Sequence, residues 1–519
     1  MRRFKPGITF SDFVITGSSV TPSKIKEQQL TPKLNYLLMW GGMGILVFLV
    51  LVSRVLTLQV FQGEKYLLLA EQNRIKYINL PAPRGEIFDR NGKILKGPNF
   101  AHLLGFVSEV NQDEVGLLLP GGRKYKMGDK VGRAGVELLQ DSTLRGEDGD
   151  RLVEVDSVGK EVRVLGTKLP VSGKPVHLTI DADLQNMAMA GLNGKPGAVV
   201  ASNPQTGEIL VLASSPTFDP EAIKKNSPMF NRAVGGTYPP GSTFKPVTVV
   251  AAMTDGGLGS NFTVDDTGVI TVAGFKYANW FWTQFGRTEG TVGWIKAIQR
   301  SNDIFFYKVG EKTGAETLST WAKRYGFGQK TSLNFPGEAA GLVPSPTWKE
   351  RTLGEKWFLG NTYHFAIGQG DLLATPLQVN QMTNMFGTNK KCQYSLFTLR
   401  DSPCEPIDVS ENILKIIREG MVGACQDGGT AYPFFEWTGP EVACKTGTAE
   451  YINDKGKYGT HAWFTIFAPS DNPQISVTVL VEGGGEGSRV AAPIARKILS
   501  AYFNLEDKYN YGAITGQGE

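Results

Sequence analysis

Cysteine is absent from the first three-quarters of this chain: its four cysteines stand at 392, 404, 425 and 444. None forms a CxxC pair or a Cys/His spacing of the kind that binds zinc. The four histidines, at 102, 177, 364 and 461, are equally without metal-like spacing. In an oxidising compartment Cys392 with Cys404 and Cys425 with Cys444 would make disulfides; four buried thiols fit the sequence as well, because spacing does not give pairing geometry. Charge of one sign is also lacking. Lys plus Arg number 54 against 50 Asp plus Glu, and no Lys/Arg block of the kind that tracks phosphates occurs, so no nucleic-acid partner is expected. No internal repeat is evident. Apolar residues are plentiful, 41% of 519, enough for a large core in more than one domain.

The longest apolar run, Tyr36 to Val52, is uncharged and resumes past Arg54 through Leu58. A helix over 36–58 spans a bilayer if Arg54 reaches to the interface with its head group. The run is too long for a signal peptide, and no small-residue cleavage site follows it. Before it stand Arg2, Arg3, Lys5, Lys24, Lys26 and Lys33 against Asp12 and Glu27, which places the tail 1–35 in the cytoplasm and everything after about 58 on the other side of the membrane. A polar-faced helical extension is expected over 62–75, ended by the Pro-bracketed turn 80–83. From Arg84 to Pro170 short β-like runs are broken by glycine, with Asn91-Gly92 as a hairpin turn, so 59–175 reads as a small β-rich pedestal. From 176 to 505 strands open and close the segment (198–202, 207–213, 442–446, 462–468, 474–481). Helices lie between them (242–255, 293–309, 315–325, 376–388, 408–424), with one more near 490–503. That order predicts an α/β domain whose sequence-distant strands share one sheet. A short tail, 506–519, follows.

Chemistry concentrates in three places. In Tyr-Pro-Pro-Gly-Ser-Thr-Phe-Lys-Pro (238–246), Ser242 and Lys245 are three apart, on one face of a helix, where an amine can take the hydroxyl proton. A lysine desolvated near a second cation loses its proton more easily. Alone this spacing is weak; it recurs at Ser23/Lys26 and Ser157/Lys160, read as tail and surface turn. Downstream come Ser301-Asn302-Asp303 and, at the end of an apolar strand, Lys445-Thr446-Gly447-Thr448. Each motif alone is an ordinary match; the three in order match the SxxK, SxN-like and KTG set of serine acyl-transfer enzymes. Ser301 can relay a proton between Lys445 or Lys245 and a leaving amine. Thr446 and Thr448 share a strand face and can hold a substrate carboxylate, and Gly447 admits a close substrate backbone. The amides of Ser242 and Thr448 can form an oxyanion hole. His461 reads as packing rather than site-lining, and Trp280 and Trp282 as loop or core aromatics.

From these motifs and from PAPRGEIFDRNGKIL, GRAGVELLQDSTLRGEDG, LTIDADLQ, NPQTGEILVLASSPTFDP, AIGQGDLLATPLQ and HAWFTIFAP, the chain resembles class B penicillin-binding proteins of the elongation type over nearly all of 36–503. The resemblance implies a penicillin-binding/β-lactamase-like fold, an antiparallel sheet flanked by helices. It implies a peptidoglycan D,D-transpeptidase that needs no cofactor. Its Ser242 would be acylated by a stem peptide ending in D-Ala-D-Ala, or by β-lactams, before the acyl group passes to a neighbouring stem's amine. It also implies a polytopic SEDS-family glycosyltransferase as membrane partner. Three departures stand out. The pedestal head between GKIL and AHLLGFVSEV is cut to a handful of residues. The triplet ends in Asp303 rather than Asn; with Lys445, Thr446, Gly447 and Thr448 it is expected to bind substrate, but its carboxylate only accepts hydrogen bonds, so contact with a substrate carbonyl needs a water or another donor. The zinc ligands of some relatives are missing, since 246–300 holds no His or Cys, and no metal is expected. A hydrolase on the same constellation would need a water-activating base, and no Glu-x-x-Leu-Asn segment lies between the triplet and Lys445. A sensor would need a cytoplasmic signalling domain, and a scaffold would tolerate loss of Ser242 or Lys245.

Overall fold

The computed structural model describes residues 34–117, 125–156, 158–398, 403–452 and 456–511. Most of the tail 1–35, both weak Ser/Lys pairs in part or whole, and most of 506–519 lie outside the described residues. The chain divides into two compact units. One runs up to Ile78 and takes in Arg151–Thr167; the other is Asn79–Asp150 with Lys168 onward.

In the first unit the helix Leu34–Leu56 passes through one wider turn, Thr57–Phe61, and a second helix follows at Gly63–Arg74. The 28 residues Leu34–Phe61 are apolar and exposed along their length. At 1.5 Å per residue they reach about 42 Å, more than the hydrocarbon core of a bilayer requires. The chain thus carries an N-terminal helix built for membrane anchoring. The second helix stops at Arg74, and Ile75–Leu80 is a strand that joins a three-stranded sheet with Gly149–Val155 at its centre and Glu161–Lys168 beyond. The expected turn at 80–83 therefore ends a strand. Alternation half-buries Ile78 and Leu80 on one face, a pattern a helix would scatter.

The second unit is built on a five-stranded antiparallel sheet in the order Ala443–Ile452, Tyr458–Ala468, Ile475–Val481, Gly197–Ser202, Ile209–Ser215. Sequence-distant strands meet as the α/β reading requires, because the inner strands are buried along their length and must be covered on both faces. Ala462, Phe464 and Ile466 face the helices Ala182–Leu192 and Gly487–Tyr502. Trp463 and Phe467 point the other way, into a helical core with Phe244, Val247, Phe305, Trp321 and Phe386. The helix Pro376–Thr388 is buried on all sides but carries Asn380, Thr383 and Asn384. Those amides and hydroxyls meet sheet hydroxyls: Ser202 donates to Asn380 at 2.6 Å, and Thr383, Thr465 and Thr478 form a chain at 2.6 and 2.7 Å. Paired this way, buried polar groups avoid the desolvation cost of lone ones. A third core joins Ile87, Leu95, Phe100 and Val136 to Leu178, Val200 and Ile209, so residues 87–136 pack against the sheet within this unit.

All four cysteines are paired. Cys392–Cys404 closes a two-stranded hairpin, and Cys425–Cys444 ties the end of the helix Glu411–Cys425 to the edge strand, one residue before Lys445.

Candidate active site

Gly241–Phe244 forms a tight helical turn that leads into the helix Lys245–Thr254, with Pro246 in the first turn, where a missing N–H costs nothing. Gly241 takes φ +57°, and its amide donates to Gly368 O at 2.8 Å, which fixes the entry of the turn. Ser242 half emerges into a cavity of about 860 Å³, while Lys245 is fully buried.

The expected single helix over 293–309 is two helices, Trp294–Gln299 and Asp303–Thr313, broken at Ser301. Ser301 sits at φ +53°, the left-handed region that costs a side-chain-bearing residue about 1–2 kcal/mol. Its neighbours explain why it stays there. Lys245 Nζ donates to the Ser301 carbonyl at 2.8 Å and to its hydroxyl at 3.1 Å, and Lys445 Nζ donates to the same hydroxyl at 2.8 Å. Asn302 then caps the second helix by accepting from Phe305 N at 2.9 Å.

Asp303 Oδ1 accepts from Lys245 Nζ at 2.7 Å, and Oδ2 from the Trp280 amide at 3.3 Å. Lys245 thus has three acceptors for three ammonium protons, and among the described residues no hydrogen bond joins it to the Ser242 hydroxyl. Ser242 is left open to whatever enters the cavity. Two opposing effects act on Lys245. Burial disfavours its charge, the Asp303 carboxylate favours it, and burial wins, so its pKa lies below the ordinary lysine range. Burial and then the Lys245 charge hold Lys445 well below that range, with Asp303 opposing. Each amine gives up its proton more readily than a lysine in water.

Lys445, Thr446, Gly447 and Thr448 lie on Ala443–Ile452, which is an outer strand: among the described residues only Tyr458–Ala468 pairs with it in the sheet. Thr446, Gly447 and Thr448 line the cavity with Ser242, Ser301 and Asp303. Gly447 is demanded by the protein itself. A Cβ there would fall 2.9 Å from Trp463 Cβ and 3.0 Å from Thr243 Cγ2, so glycine lets the strand close onto the serine turn. The same packing brings the Thr448 backbone against Gly241.

Several contributors were not legible as motif residues. Thr430 shares a hydrogen bond of 2.8 Å with Thr446, and Gln369 Nε2 donates to Thr448 O at 3.2 Å. Buried Asp266 gathers the segments before the triplet: Oδ2 accepts from Asn279 Nδ2 and Asn302 Nδ2 at 2.9 Å each and from Glu289 N at 3.0 Å, and Oδ1 from Gly268 N at 2.8 Å. Trp280 lines the cavity, with its indole N–H donating to Arg300 O at 2.8 Å; Trp282 stands outside that lining, 41% exposed. His461 is packed, stacked on Tyr451 at 4.1 Å and accepting from Gly483 N at 3.3 Å.

The family model for the penicillin binding protein transpeptidase domain matches residues 197–500, and that for the penicillin-binding protein dimerisation domain matches 94–178. The peptidoglycan D,D-transpeptidase MrdA of Haemophilus influenzae is 33% identical over 80% of this chain and 70% of its own length. Penicillin-binding protein 2 of Pseudomonas aeruginosa, crystallised with WCK 5153, has 32% identity and a TM-score of 0.70, covering 83% of this chain and 97% of that one. A chain of a peptidoglycan synthase complex, solved for its coordination of polymerization and crosslinking, has 27% identity and a TM-score of 0.71 over 92% of this chain and all (100%) of that one. With the transpeptidase domain matched over most of the catalytic unit, the chain belongs to the elongation-type class B penicillin-binding proteins, the peptidoglycan D,D-transpeptidases.

Proposed function

We propose that Ser242 is the nucleophile and Lys245 its base, with Ser301 and Lys445 moving the second proton. The observation that carries this reading is the single Ser301 hydroxyl bonded by both buried amines beside the cavity that Ser242 enters. Ser242 Oγ attacks the carbonyl of the penultimate D-alanine, and its proton passes to neutral Lys245. The amides of Ser242 and Thr448 stabilise the tetrahedral oxyanion. The C–N bond breaks and D-alanine leaves, its amine receiving a proton through Ser301. A neighbouring stem's amine then attacks the acyl-serine and the steps run in reverse. Thr446 and Thr448 hold the terminal carboxylate. Asp303 acts on Lys245 by accepting from its Nζ, and with two acceptor sites on each oxygen it can also accept from substrate in the cavity it lines. Penicillin should leave a covalent adduct on the peptide containing Ser242 after digestion of the treated chain; an adduct on another serine, or none, overturns the assignment.

The anchor reading extends this. The tail before Leu34 lies in the cytoplasm and the catalytic unit outside the cytoplasmic membrane, with 59–175 as pedestal and 176–505 as transpeptidase domain. A SEDS-family glycosyltransferase binds the membrane helix, a reading supported by the relative found in a peptidoglycan synthase complex. Replacing 36–75 with an unrelated membrane helix should abolish co-purification of that partner. Unchanged recovery would move the contact elsewhere.

A further inference from the structure

Three carboxylates line the catalytic cavity: Asp303, Glu450 and Glu486. Asp303 is paired with Lys245, and Glu486 with Arg489 and the Gln284 amide. Among the described residues Glu450 has no hydrogen bond and no ion pair. It is exposed on the edge strand, on the face that Thr446 and Thr448 share, and its charge reaches Tyr307 and His364, which line the same space. A carboxylate there repels the carboxylate that ends a D-Ala-D-Ala stem, so it serves something cationic.

Resting on the catalytic reading above, the direction of the substrate can be worked out. A peptide with its terminal carboxylate at Thr446 and Thr448 and its scissile carbonyl at the Thr448 amide lies along the free edge of the strand. Only antiparallel alignment lets its earlier residues run toward Ile452. Glu450 stands two residues on, about 6.6 Å along the strand, beside the residue that precedes D-Ala-D-Ala. The stems being cross-linked are copies of one another. Because one supplies a side-chain amine as acceptor, the donor carries the same amine.

We propose that Glu450 binds the side-chain ammonium of the diamino acid preceding D-Ala-D-Ala in the donor stem, and so selects donors whose amine is still free. The test uses the full-length chain in detergent and two probes, Nα-acetyl-L-Lys-D-Ala-D-Ala and its Nε-acetylated twin, with D-alanine release as readout. Wild type should prefer the free amine by about fivefold in kcat/KM, the worth of a partly solvated ion pair. In Glu450→Gln the ratio should fall to near one, and in Glu450→Lys below one. A preference that persists in Glu450→Gln, or is missing in wild type, overturns the proposal. So does an intact ratio with a raised KM for an added acceptor amine, which would give the carboxylate to the acceptor stem. The adduct-mapping experiment on wild type judges the Ser242 reading independently of this ratio.

Discussion

Lys245→Met is expected to slow acylation by penicillin about a thousandfold, within the range that loss of a positioned base produces. Met keeps the buried stem and removes only the amine. The substitution also leaves the partly buried Asp303 without its cation, which costs stability of its own. Stability and rate must therefore be separated. The double variant Lys245→Met/Asp303→Asn should recover most of the lost thermal stability and none of the rate, because the neutral amide needs no cation. Stopped-flow acylation and thermal unfolding of the same preparations give both quantities. Acylation within tenfold of wild type, in a folded Lys245→Met chain, would remove Lys245 from the base role.

Asp303→Asn alone is expected to move the rising limb of the acylation–pH profile to lower pH. The carboxylate raises the pKa of both Lys245 and Lys445, while burial lowers each. Taking the carboxylate away leaves burial less opposed, so both amines deprotonate at lower pH and the base becomes available sooner. The effect on folding follows from linkage. A lysine with a depressed native pKa binds fewer protons folded than unfolded, so stability rises with pH from that depressed value up to the ordinary lysine value of about 10.4. Below the depressed value the folded site carries the full cost of a buried charge. Asp303→Asn widens this window at its lower end, and unfolding should be easier than in wild type on the acid side. A limb that stays in place or moves up would show that Asp303 does not set the charge of these amines.

The site was legible where chemistry fixes residue type at short range. Ser242, Lys245, Ser301 and Lys445 could be named because the three motifs occur in order, and the sheet followed from apolar strands at both ends of one segment. The single-helix reading of 293–309 failed because Ser301 adopts a left-handed backbone without being glycine, held there by two lysines distant in sequence. Asp266, Thr430 and Gln369 escaped notice for the same reason. Each acts through a partner from another segment, and an isolated Asp, Thr or Gln carries no local signature. The strand Ile75–Leu80 was hidden by the helical text before it, and its β character depends on neighbours more than 70 residues on.

The outermost position of Ala443–Ile452 has a pharmacological consequence. Among the described residues no further strand of the sheet covers its edge beside the serine, and a rigid extended peptide could pair there, displacing the Gln369 amide from Thr448 O, without any strained ring. Such a molecule would delay penicillin by occupancy alone, reversibly, and would leave no mark on Ser242.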